Sequence, residues 1–289
     1  MENKKVIGIF TGIIAVLVVL AATIGIASIN MKTAFDFTTV YGDTVSLYGG
    51  GIYGKHTVTQ VYQVIPHDMV NLFLAVPALV ISYLFARKGI LKARLFFMAV
   101  TLYLMFTYGI YTFYAMYNRL YICYVAIMGL CFYTFFLTLK KTGASETKAL
   151  FKDHYPNRLV GGFLITAASF MTLTWLGRIL PTTFLGTMPT IDLAQGTTMV
   201  PQAIDLAFIL PLAFVTGVRL WRNKPEGYIM GTVLPAFLIF MMTAVFSKGL
   251  MLEITGTADG IGTMIIMGTF AAISLAITVV NFRFMRRES

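Results

Sequence analysis

The sequence predicts an all-α integral membrane protein of eight transmembrane helices, and three observations carry that prediction. Of 289 residues, 58% are hydrophobic and only 12% charged, against about 25% charged in a soluble domain. Apolar windows of the roughly 20 residues needed to cross a bilayer recur along the whole chain. Lys and Arg gather in alternate connections between those windows. The spans read as 6–28, 67–86, 95–117, 120–139, 159–180, 200–220, 228–247 and 261–282, one membrane domain over 1–289 with no room for a sizeable soluble one.

The first span follows Met1-Glu2-Asn3-Lys4-Lys5, a charged start that a secretory signal would share. Its apolar run exceeds the 7–15 residues of a signal core, and no convincing cleavage site follows, so an uncleaved helix is expected. Residues 29–66 form the longest connection. Its centre, 40–62, alternates β-branched and aromatic residues around Gly49-Gly50-Gly51, which predicts a short β-hairpin turning at the glycines. The triple glycine lacks the strand-then-helix context and the Lys-Ser/Thr of a phosphate loop.

The second span opens on His67, Asp68 and Asn71, has Pro77 at its centre and closes on Arg87-Lys88. At a helix start Asp68 reads either as an N-cap or as part of a polar site. Spans three and four carry Tyr103, Tyr108, Tyr111, Tyr114, Tyr117, Tyr121 and Tyr124 around the Asn118-Arg119 turn. That crowd suits an interfacial belt, or the wall of a pocket for an aromatic, cationic or lipid-like ligand. Cys123 and Cys131, eight residues apart on the fourth span, lie about 12 Å apart in rise and cannot bridge.

Arg178 ends the fifth span, and 181–199, with Pro181, Pro189 and six threonines, reads as a second outer loop. Gln202 and Asp205 lie in the first turns of the sixth span, and Lys248 and Glu253 follow the seventh. Nearly all these polar groups fall in one half of the bundle. Buried charge in a bilayer usually faces a cavity or the bundle interior, so an outward-facing polar pocket is expected.

With the N-terminus inside, 17 of the 22 Lys and Arg residues fall in cytoplasmic segments, Arg287 among them. That bias predicts cytoplasmic termini in a cytoplasmic membrane. Topology thus accounts for the net charge of +10; attraction to membrane lipids follows, and a nucleic-acid partner does not.

Residues 71–88 align without gaps to 205–222, pairing Asn71 with Asp205, Pro77 with Pro211, Ser82 with Thr216 and Lys88 with Arg222. Both spans would run in the same direction, four helices apart, as a parallel 4+4 repeat requires. The central prolines would each free a backbone carbonyl.

No HExxH, CxxC, Walker, GxSxG or paired-carboxylate motif occurs, so no catalytic residue, metal or cofactor is assigned. A site built from His56, His67 and Asp68 is the weak exception considered. The segments "PALVISYLFARKGILKARL", "YAMYNRLYICYVAI" and "IDLAFILPLAFVTGVRLWRNKPEGY" resemble a broad group of uncharacterised bacterial multi-pass membrane proteins. The resemblance implies a bacterial inner membrane and carries no activity; it marks Asp68, Tyr117, Asn118, Asp205, Pro211, Gly227 and Tyr228. The expected function is binding and moving, or sensing, a small partly apolar solute or lipid. Asp68, Asn71, Tyr108, Tyr111, Tyr114, Asn118, Gln202 and Asp205 are the candidate ligand-binding residues. A non-catalytic subunit holding membrane partners or a homo-oligomer, and a lipid-acting membrane enzyme, are the alternatives.

Overall fold

The computed structural model describes residues 2–187, 196 and 198–286. Among the described residues, eight helices are long and apolar enough to cross a membrane. They are α1 (Glu2–Ala27), α2 (Val58–Ala86), α3 (Leu91–Phe113), α4 (Tyr121–Lys140), α6 (Asn157–Leu185), α7 (Val200–Trp221), α8 (Pro225–Thr255) and α9 (Ile261–Phe284); α5 (Ala144–Ala149) is a short connector. The chain is therefore an all-α, multi-pass membrane protein. Its outer faces expose Val16, Phe73, Ile122, Phe214 and Ile265, apolar side chains that lipid, not water, would solvate.

α3 and α8 pack on each other at the centre, and α3 is the most buried helix, with Phe97, Leu104, Tyr103 and Tyr108 nearly or wholly covered. Around that pair, α3 packs on α2 and α4 and α1 covers both; α8 packs on α7 and α9, and α6 covers α7. Gly161 of α6 and Gly217 of α7 face each other where these two helices meet. A Cβ on either would meet the other's carbonyl oxygen at 2.6 Å, so two small residues let these backbones touch.

Among the described residues two helices contain π-helical segments, Asn71–Ala75 in α2 and Asp205–Ile209 in α7. Each opens on the polar residue of the alignment above, and each is followed by a proline, Pro77 or Pro211, in the first turn of resumed α-helix. The i→i+5 pattern frees carbonyls locally, and the missing N–H of the proline is tolerated there.

The long connection departs from expectation. Its hairpin pairs β1 (Phe35–Thr38) with β2 (Thr44–Leu47), Phe35 opposite Leu47, and turns at Thr39–Asp43 rather than at the glycines. Gly42 supplies the positive φ that this turn needs (+87°). The triple glycine instead presses on the end of α1: a Cβ on Gly50 would strike the Met31 carbonyl. Tyr48 donates to the carbonyls of Ser28 and Ile29 at 3.0 and 2.7 Å, tying the same junction.

α2 begins at Val58, nine residues before the expected 67, because Thr57 and Gln60 form a reciprocal capping box. Asp68 is thus three turns inside its helix and is not an N-cap. α6 likewise runs through Pro181 to Leu185 and stops at Gly186, in the left-handed region; the expected loop is helical over 181–185. Pro189 and Arg287 lie outside the described residues. α8 continues to Thr255, so Lys248 and Glu253 belong to the helix.

Candidate functional site

The largest group of buried polar side chains lies at the end of the bundle that carries the 29–57 connection. His67, Asp68 and Asn71 sit on consecutive turns of α2 and are fully or almost fully covered. Successive helical residues diverge by about 100°, so neighbours in sequence serve different partners. Asp68 accepts from Tyr53 Oη at 2.6 Å on one carboxyl oxygen and from Tyr111 Oη at 3.0 Å on the other. Gly25 of α1 closes the remaining side: a Cβ there would collide with Asp68 Oδ2. His67 and Asn71 turn to α3. His67 Nε2 lies 3.2 Å from Thr107 Oγ1 and its ring stacks on Tyr103 at 5.9 Å. Tyr103 in turn donates to Asn71 Oδ1 at 2.7 Å.

Tyr108, Tyr111 and Tyr124 pack ring against ring, with centroids 5.4–5.9 Å apart. The expected pocket wall is thus closed on itself around Asp68. Tyr108 Oη, Tyr124 Oη, His67 Nδ1 and Asn71 Nδ2 are nevertheless buried without a hydrogen-bond partner, each a cost of about 1–3 kcal/mol if left dry. Above this layer, Met116 N donates to His56 Nε2 at 3.1 Å. Burial pushes the His56 ring down to about 4, so the imidazole that accepts this bond is neutral near pH 7. Burial also raises the Tyr53 phenol well above its ordinary value, with the Asp68 charge second; Tyr53 acts as a donor.

A second, smaller group lies on α7. Asp205, half-buried, accepts from Trp175 Nε1 of α6 at 2.9 Å. Gln202, one turn earlier, is buried with Oε1 unpartnered.

The candidate residues therefore divide. Asp68, Asn71, Tyr108 and Tyr111 come together in one sealed group. Gln202 and Asp205 form another, both on α7. Tyr114, half-buried, touches Gln60 Nε2 at 3.5 Å on the rim. Asn118 serves its own turn, accepting from Leu120 N at 2.9 Å and donating to the Met116 carbonyl. Sequence reading missed Tyr53 and Trp175, the partners of the two aspartates: neither lies in a pattern that helical spacing exposes.

No family model, curated protein or solved structure matches this chain. Its chemistry has to be read from its own side chains. Among the described residues no three His, Cys, Asp or Glu side chains converge; Cys123 is half-buried and Cys131 buried, both as free thiols. Hydrogen-bonded carboxyls beside unpartnered polar atoms can accept a proton or a polar solute. Open space lies elsewhere, in an apolar cleft of about 340 Å³ between α2 and α8 and another of about 420 Å³ beside Ser82, Phe96 and Phe282.

Proposed function

We propose that the protein binds and moves, or senses, a small partly apolar solute or lipid through the extracytoplasmic half of two parallel four-helix halves. Both termini are cytoplasmic in this reading, in a bacterial cytoplasmic membrane, because the basic residues crowd the connections at that end. One observation carries the proposal. π-helical turns, which recur at functional sites, begin at Asn71 and at Asp205, the positions that a gapless alignment pairs. Matching breaks at matching depth, each with a polar side chain at its first residue, are what a transporter built from repeats uses to bind and to bend. The matched packing of α2–α3–α4 and α7–α8–α9 supports the same halves. Asp205, half-open and held by one donor, is the working carboxyl in this scheme.

The sealed state of Asp68 favours a second reading, a non-catalytic subunit whose polar residues hold the bundle together for partners. Native mass spectrometry of the protein extracted gently from its own membranes, wild type beside Asp205→Asn, separates the two. A bound small molecule lost in the variant supports transport or sensing. Partner subunits retained by both proteins, with no small molecule on either, support the subunit reading and remove the first.

A further inference from the structure

Gln202 and Asp205 are three residues apart on α7, a spacing that makes side chains neighbours on one helix face, with Cβ atoms about 5–6 Å apart. Both carry acceptors that the fold leaves unfilled. Trp175 Nε1 donates to Asp205 Oδ2 at 2.9 Å, and among the described residues nothing donates to Oδ1. Gln202 is only 8% exposed, yet its Oε1 is buried without a hydrogen-bond partner. Among the described residues no Lys or Arg pairs with the Asp205 carboxylate. One helix face in the membrane thus holds a negative charge without a counter-ion beside a buried acceptor without a donor, and both are costly left alone.

Those two deficits specify what fills them. A proton neutralises Asp205 and leaves Gln202 Oε1 empty. A divalent cation takes more oxygen ligands than these two side chains offer. An alcohol brings one donor and no charge, and a quaternary ammonium brings charge and no N–H. A protonated primary amine brings a compact positive charge with three donors, as the head of lysine does, enough for Oδ1 and Oε1 together. Aromatic surface lies beside it: Trp175 borders the carboxylate, and Phe208, three residues on, is 67% exposed.

We propose that Asp205 and Gln202 bind the ammonium head of a primary amine whose apolar body rests on the aromatic surface of Trp175 and Phe208. Trp175 is the positioning residue, since its N–H occupies Oδ2 and leaves Oδ1 for the ligand. The inference rests on the reading of Asp205 as the working carboxyl and names the class of solute that it takes.

The test is isothermal titration calorimetry of the full chain in detergent with phenethylamine. Wild type should bind it saturably, and neither phenethyl alcohol nor phenylpropionate should compete. Asp205→Asn should bind about tenfold more weakly, the loss of a charge-assisted hydrogen bond. Gln202→Leu should bind about threefold more weakly, the loss of a neutral one, and should unfold no more easily than wild type because it removes an unpaired buried group. Phenethyltrimethylammonium should bind more weakly than the amine, having no N–H. Equal affinity of wild type and Asp205→Asn overturns the site, and equal affinity for phenethyl alcohol overturns the recognition of charge. Equal affinity for the trimethylated cation overturns the role of Gln202. If the protein leaves its own membranes carrying a small molecule that is not an amine and is lost in Asp205→Asn, the amine is overturned and the solute reading stands. If neither the amine nor any other small molecule depends on Asp205, both fall.

Discussion

Asp68 and Asp205 are two aspartates at the same end of one bundle, and they live in opposite circumstances. Asp68 is wholly covered, accepts from two tyrosines, and has a glycine backbone pressed against it. Among the described residues Asp205 has one donor, Trp175, and it keeps part of its surface open. A carboxyl whose every contact is filled holds helices in register; a carboxyl with unfilled valence is free to meet something else. In the proposed reading the first group has a structural role and the second is the one left to bind.

The largest effect should come from breaking the sealed side. Asp68→Ala would strand the Tyr53 and Tyr111 hydroxyls in a buried site, and at about 1–3 kcal/mol for each stranded group the loss is roughly 2–6 kcal/mol. Chemical unfolding in detergent reads it, and a loss under 1 kcal/mol would mean that the group opens easily to water.

Next is the His56 layer above it. The folded-state value near 4 lies below the ordinary 6.5 of histidine, so the unfolded chain takes up its proton first as pH falls. The contribution of His56 is whole above pH 6.5 and is lost as pH falls toward 4, up to about 3 kcal/mol. His56→Gln retains an acceptor for Met116 N. The difference in unfolding free energy between wild type and this variant should shrink across that window, and a difference that stays flat would refute the burial argument.

Gly25→Ala should cost about 1–3 kcal/mol by overpacking, because its methyl group would displace the Asp68 carboxylate. The Asp68→Ala background should relieve much of that cost, which a double-mutant cycle measures. The smallest stability effect belongs to Asp205→Asn, within about 1 kcal/mol, since the replacement still offers Trp175 an oxygen. Loss of a bound small molecule with unfolding unchanged is the expected pattern. Destabilisation as large as that of Asp68→Ala would erase the distinction between the two groups.

Much of this was legible beforehand, and the failures have identifiable causes. Eight apolar windows named the eight helices, although their ends moved wherever a local device outweighed hydropathy. The Thr57–Gln60 capping box began α2 early, and α6 ran on through Pro181 to the left-handed Gly186. The hairpin was foreseen with the wrong turn, because Gly49–Gly51 serve contact with Ser28–Met31 instead of chain reversal. The tyrosine crowd was visible in the sequence, but its rings meet one another and leave no open wall.

By itself the sequence determined the class of solvent, the number of crossings and the bias of positive charge, because each depends on transfer free energies summed over neighbours along the chain. It also contained the pairing of Asn71 with Asp205. Only the tertiary structure decided that π-helical turns begin at both, that Tyr53 from a connection and Tyr111 from α3 close over Asp68, and that Trp175 donates to Asp205. Those contacts join residues 15, 43 and 30 positions apart. Hydrogen bonds of that kind depend on which helix faces which, and helical periodicity carries no record of a partner on another helix.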